Sequence, residues 1–182
     1  MMGIDWFYIV YSVRKWVVEE DGVALMEAVM LFPPMVTLLM GVFDLGNGIV
    51  LSQKTITSSQ VAADLVSRNR TMDTANLTDI IEGAKLPFEP FALVDFGIDV
   101  VSIEFDANQD PDILWRHTEN MTPNDVAVNS VKGMAAEGEG IIIVTVRYTY
   151  VPQFAKFFTG DLEFSETAFT RGRRSATVTW DS

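Results

Sequence analysis

The chain has 182 residues, a net charge of −12 and a pI near 4.3, with a mean hydropathy of +0.20. An acidic chain with no basic stripe argues against nucleic-acid binding and against attachment to anionic lipid by charge alone. With no cysteine and a single histidine, His117, disulfides, thiolate metal sites and a histidine-rich catalytic or metal site are excluded.

Residues Met1 to Asp21 come first. Trp6, Phe7, Ile9, Val10, Val13, Trp16 and Val17 recur at three- and four-residue steps, an amphipathic helical pattern too short and too interrupted to span a bilayer. Arg14 and Lys15 are its only cations, and Glu19, Glu20 and Asp21 close it. The one long apolar run follows, from Val23 to Phe43, about the ~20 residues a helix needs to cross a bilayer core. A secretory signal peptide places its apolar core before a small-residue cleavage site; here the glycine, Gly22, precedes the run. The order predicts a leader on the cytoplasmic side and an apolar helix kept as an anchor, with the residues beyond about Phe43 outside. Pro33 and Pro34 sit within the run and predict a kink near Leu31 to Pro34. Glu27 is its only charge, and an ionised carboxylate there needs a fixed partner.

Beyond Asp44 the helix is expected to continue as a polar extension to about Arg70, with Ile49, Ile56, Ala63 and Val66 as its stripe and Arg68 and Arg70 at its end. A second helix is predicted over Asn76 to Lys85, capped by Asn76 or Thr74, with Leu77, Ile80, Ile81 and Ala84 inward. LPFEPF at 86–91 ends it. From Gly97 the period changes to two. Val101, Ile103 and Phe105 share one face of a first strand, NQDPD makes a turn, and ILWRHT forms a second strand. The stretch from Glu119 to Gly140 reads mostly as loop. IIIVTVRYTYV is the strongest strand, with Val144, Val146, Tyr148 and Tyr150 alternating against Thr145, Arg147 and Thr149. After the connector QFAKFFTG, Leu162 to Trp180 reads as two strand pieces split at Gly172, with Ala176, Val178 and Trp180 on one face. Short connections between these strands predict an antiparallel sheet. The expected fold class is α+β: an N-terminal transmembrane helix extended by a polar helix, then a small domain with an antiparallel sheet.

Several weaker signals point to no chemistry. Gly133, Gly138 and Gly140 lack the Lys-Ser or Lys-Thr of a phosphate loop. Glu104, Asp106, Asp110 and Asp112 cluster at a turn without the spacing of an EF-hand. No cofactor and no metal is expected, and the chain is not expected to be an enzyme.

Gly22 followed five residues later by Glu27, then an apolar helix, looks like a type IV prepilin cleavage site. Gly22, Ala24, Glu27, Pro33, Gly41, Asp44, Gly46, Gln53, Ala62 and Ala63 together resemble the N-terminal region of TadE-like proteins, pseudopilins of the tight-adherence (type IVb, Flp-type) pilus. VTVRYTYVP and the strands after it are loosely similar to the family's C-terminal part. The resemblance implies a prepilin-type leader (1–22), a transmembrane helix with its polar extension (23–70) and an extracytoplasmic α+β domain (71–182). It also implies cleavage between Gly22 and Val23, pairing of Glu27 with the freed amine, and an inner-membrane protein with its C-terminal domain periplasmic. The implied partners are a prepilin peptidase, sibling Tad pseudopilins and the pilus platform. Ala28 stands where fibre-forming pilins of this class often carry tyrosine, which favours a minor pseudopilin. The alternative is an unprocessed, signal-anchored binding or adhesion module whose N-terminus remains Met1.

Overall fold

The computed structural model describes residues 20–93, 95–154, 156 and 160–181. The amphipathic segment expected before Glu20, and part of the connector QFAKFFTG, lie outside the described residues. The chain divides into two compact units, Met1–Asp44 and Leu45–Ser182.

Helix α1 runs Glu20–Ser67 and passes through both prolines without a break in its assignment. Neither proline can donate a backbone hydrogen bond, so the carbonyls of Val29 and Met30 lose their usual acceptors' role in the ladder. Thr37 Oγ1 donates to the Pro33 carbonyl at 2.9 Å, one turn back. In the first unit the helix is apolar all round and open: every residue from 22 to 35 is exposed.

The second unit holds the rest of α1 and all the other elements. These are β1 (Thr71–Met72), α2 (Thr74–Lys85), a 3-10 turn (Leu86–Phe88), β2 (Phe96–Phe105), β3 (Pro111–Glu119), α3 (Asp125–Ser130), β4 (Gly140–Tyr150), β5 (Leu162–Thr170) and β6 (Thr179–Trp180). Four strands form an antiparallel sheet in the order β3-β2-β4-β5. β1 and β6 form a separate pair, and that pair is parallel, so the last strand does not join the main sheet as the sequence pattern predicts.

β2 and β4 are buried along almost their whole length because both faces of the sheet are covered. One face meets α1 and α2: Phe96, Ile98, Val100, Val144, Val146 and Tyr148 pack with Leu51, Ala62, Val66, Leu77, Ile80 and Ile81. The other face carries Val101, Ile103, Phe105, Ile141 and Ile143 and is closed by Ala127, Val128 and Val131 around α3. That short helix occupies part of the stretch read from sequence as loop. Six residues are too few to show a helical period, and its signal is the cap: the Asn124 carboxamide oxygen accepts from the Ala127 N–H at 3.1 Å. Gly140 opens β4 where an added Cβ would lie 2.8 Å from the Ile103 carbonyl oxygen and 2.9 Å from that of Ala176, so a side chain there would force the two backbones apart.

Two details of the helices differ from expectation. α2 starts at Thr74, and its cap is Asp73, whose carboxylate accepts from the Asn76 N–H at 2.7 Å. Its inward residues are the four predicted, Leu77, Ile80, Ile81 and Ala84. The buried stripe of the α1 extension is not Ile49 and Ile56. Ile49 is 67% exposed, and the inward positions are Leu51, Thr55, Ser58, Ser59, Ala62, Ala63 and Val66. Small side chains let α2 approach closely, and their hydroxyls find backbone acceptors: Thr55 Oγ1 donates to Leu51 O at 2.9 Å, and Ser58 Oγ to Ala84 O across the helix pair.

Lys54 closes this helix pair at one end. Its ammonium donates to the carbonyls of Pro87 and, at 3.0 Å, of Glu89, and lies 5.5 Å from the centre of the Phe91 ring. Lys54→Met keeps the stem and removes the donors. It should lower the unfolding free energy by about 1–2 kcal/mol, since hydrogen bonds from charged groups contribute most when partly desolvated. Urea unfolding of the full chain in neutral detergent measures this.

Candidate functional site: the N-terminal helix and the domain it carries

The residues expected to carry function lie along the first half of α1. Gly22, Val23, Ala24, Glu27 and Pro33 are all exposed, and Gly41 is half-buried. Asp44 is 3% exposed. Gly46 is exposed, and a Cβ added at Gly41 or at Gly46 meets nothing within 4 Å, so among the described residues no contact requires glycine at either place. The helix brings Val23 and Glu27 together: residues four apart lie on one face, about one turn from each other. The carboxylate of Glu27 therefore stands one turn beyond the peptide bond joining Gly22 to Val23. α1 from Gly22 is long and apolar enough to cross a membrane, and its apolar half has the length and composition of a membrane anchor.

The domain contains a polar constellation that sequence reasoning did not single out. Asp99 lies on β2, 1% exposed. Register places Thr118, Asp99, Thr145 and Thr167 in one row across all four strands. Arg116 grips both Asp99 oxygens, Nε at 2.9 Å and Nη2 at 2.6 Å, and its Nη1 reaches Asp125 at the start of α3. Thr118 Oγ1 donates to Asp99 at 2.7 Å, and the Asn124 N–H at 2.9 Å. The Asn124 amide nitrogen donates onward to Thr145 and Thr167. Burial alone would raise the Asp99 pKa, but the hydrogen bonds from Arg116, Asn124 and Thr118 outweigh it and hold the carboxyl below its usual range. The Arg116 guanidinium is held charged by the same contacts. The Asp99 carboxylate accepts four hydrogen bonds from Arg116, Thr118 and Asn124, and these fix the start of α3 on the sheet. The signal was present as an aspartate inside an apolar strand opposite Arg-His-Thr, but its partners lie 17 to 25 residues away.

The remaining candidates are structural. His117 is half-buried on β3, paired with Val100. The Asp106 carboxylate accepts from the N–H groups of Asn108 at 2.8 Å and Asp110 at 2.7 Å, and Asp110 pairs with Lys132. Asp106 and Asp110 are thus both engaged in holding the turn. Among the described residues no group of three histidine or carboxylate side chains is placed to hold a metal ion.

Residues 22–64 match the family model described as TadE-like protein. No curated protein and no solved structure matches the chain. The matched stretch begins at the glycine before the apolar run and ends within the last turn of α1.

Proposed function

We propose that the chain is a minor pseudopilin that takes part in assembly of a tight-adherence, type IVb (Flp-type) pilus. The observation that carries this reading is the TadE-like match over an exposed apolar helix that opens with Gly22 and holds Glu27 as its only charge before Asp44. A prepilin peptidase cuts after Gly22, removing the leader 1–22 and leaving Val23 as the N-terminus. The new amine then sits one turn before Glu27, at the positive end of the helix dipole, where a carboxylate is favoured. Glu27 pairs with that amine, on its own or a neighbouring chain, and so sets the stagger between packed helices. Half-buried Gly41, within the apolar run, suits close helix contacts with sibling pseudopilins, because small residues let backbones approach within a membrane. The precursor sits in the inner membrane, single-pass, with the leader cytoplasmic and the domain 71–182 periplasmic, handed on by the platform of the pilus machine.

Intact mass of the membrane-extracted chain, made with and without the peptidase, tests this. The expected result is loss of residues 1–22 only when the peptidase is present. A chain still starting at Met1 in both would overturn it and favour an unprocessed, signal-anchored binding or adhesion module. Glu27→Ala should still be cut but should lose about tenfold in recovery with sibling pseudopilins, the equivalent of roughly 1–2 kcal/mol for a polar contact between membrane helices. Quantitative co-purification reads that loss; unchanged recovery would remove the pairing role from Glu27.

A further inference from the structure

β5 runs beside α1, and two contacts fix which way. A Cβ added at Gly48 would lie 3.7 Å from the Phe164 ring and 3.9 Å from Leu162, so the start of β5 stands against that turn of α1. Farther on, the Arg173 N–H donates to Ser67 O at 2.9 Å. The helix from Gly48 to Ser67 rises roughly 29 Å, and the chain from Phe164 to Arg173 reaches roughly 30 Å when extended. The two therefore run side by side. Tyr150 pairs with Leu162, so the end of β4 and the start of β5 lie at the level of Gly48. The start of β4 lies toward Ser67, where the Gly140 N–H donates to Ala176 O at 3.0 Å.

The Gly48 end is apolar and open. Leu45 is 62% exposed and Ile49 67%, and Val151 and Phe154, just past β4, are each 44% exposed. Leu45 and Ile49 line a groove of about 270 Å³ with Leu162 and Phe164. Glu163 alternates to the other side of β5, where it lies 3.9 Å from Arg147. Apolar residues gathered in this way mark a surface that something covers. Position along the chain indicates what. The apolar run ends by sequence at Phe43, and the groove begins at Leu45. From Leu45 to Gly48 the helix rises roughly 5 Å, about the depth of one headgroup layer.

We infer that bilayer lipid covers this end of the domain. Leu45, Ile49, Val151 and Phe154 sit in the headgroup layer and give the domain a second membrane contact besides its anchor. The tether holds the patch at high local concentration, so a small apolar area is enough. The contact is apolar, and a zwitterionic surface does not repel the acidic chain. The inference rests on α1 crossing the membrane and needs neither pilus assembly nor leader cleavage.

The chain has no cysteine, so a nitroxide can be placed at one position at a time. F154C and V151C, with E137C before the start of β4 and L39C in the apolar run, are labelled in the full chain. Each is reconstituted in phosphatidylcholine vesicles with a neutral nickel chelate on both sides. Oxygen concentrates in lipid and the chelate in water. At F154C and V151C chelate access should be roughly fivefold lower than at E137C, because a polar solute is excluded from apolar surroundings, and oxygen access should be higher. Both positions are exposed, so the fold should persist, and far-UV circular dichroism matching the parent confirms it. Chelate access equal to that at E137C would overturn the inference. So would low access to chelate and oxygen alike, which marks a site covered by protein. Water-like access at L39C would overturn the membrane placement of α1 and this inference together, whereas a lipid-like L39C beside a water-like F154C and V151C would overturn this inference alone.

Discussion

Asp99→Ala is expected to lower the stability of the domain by about 3–5 kcal/mol, because it leaves the Arg116 guanidinium largely buried without its counter-charge. The loss has three parts. Arg116 keeps only Asp125, which is exposed to water. The Asn124 N–H loses its acceptor, which loosens the cap of α3. Thr118 loses the partner of its hydroxyl. Replacing Asp99 and Arg116 together by apolar residues should cost less than Asp99→Ala alone, since no unpaired charge remains. Urea unfolding of the full chain in neutral detergent, followed by far-UV circular dichroism, gives both numbers. The pH dependence has a definite sign. The Asp99 carboxyl is held below its ordinary value of 3.8 in the folded protein. The unfolded chain therefore takes up this proton first as pH falls. The stability it contributes is fully present well above pH 3.8 and is lost as pH falls from there through the lowered folded value. In Asp99→Asn that part of the acid dependence should vanish.

Phe88→Ala should cost about 3–5 kcal/mol, the range for emptying a buried aromatic site. Phe88 is fully buried at the 3-10 turn that leaves α2. Its ring is stacked on Tyr148 at 4.8 Å and meets Phe96 edge-on at 5.8 Å, so it joins the helix pair to both central strands. Its loss also frees the Tyr148 ring, whose hydroxyl donates to Ala92 O at 2.8 Å. Phe88→Leu should recover most of the stability in the same unfolding assay, because the cavity is then largely filled.

Parts of this architecture were plain in the residues. The apolar run of α1, the inward face of α2 and the alternation in β4 each follow from one period over one continuous segment, and each is found. The failures share a cause. Thr55, Ser58 and Ser59 are buried because their hydroxyls are satisfied by carbonyls within α1 or on α2, a property hydropathy does not record. Ile49 looked inward by its chemistry and is outward by its position. The strand at Thr179 is two residues long and is defined by its partner at Thr71, more than a hundred positions earlier. The Asp99 group is likewise a fact of register, invisible until Asp99, Thr145 and Thr167 are aligned.

The parallel pair of β1 and β6 places the way in and the way out of the domain side by side. Thr71 pairs with Thr179 and Met72 with Trp180, and the Asp181 N–H donates back to Met72 O at 2.7 Å. What lies between them is closed at that pair and also packs along α1 from Leu51 to Val66, so the helix extension and the sheet share one core. Another fold spliced at the pair would have to cover the same Ser-Ala stripe of α1. The family match stops at residue 64, a few residues short of that pair.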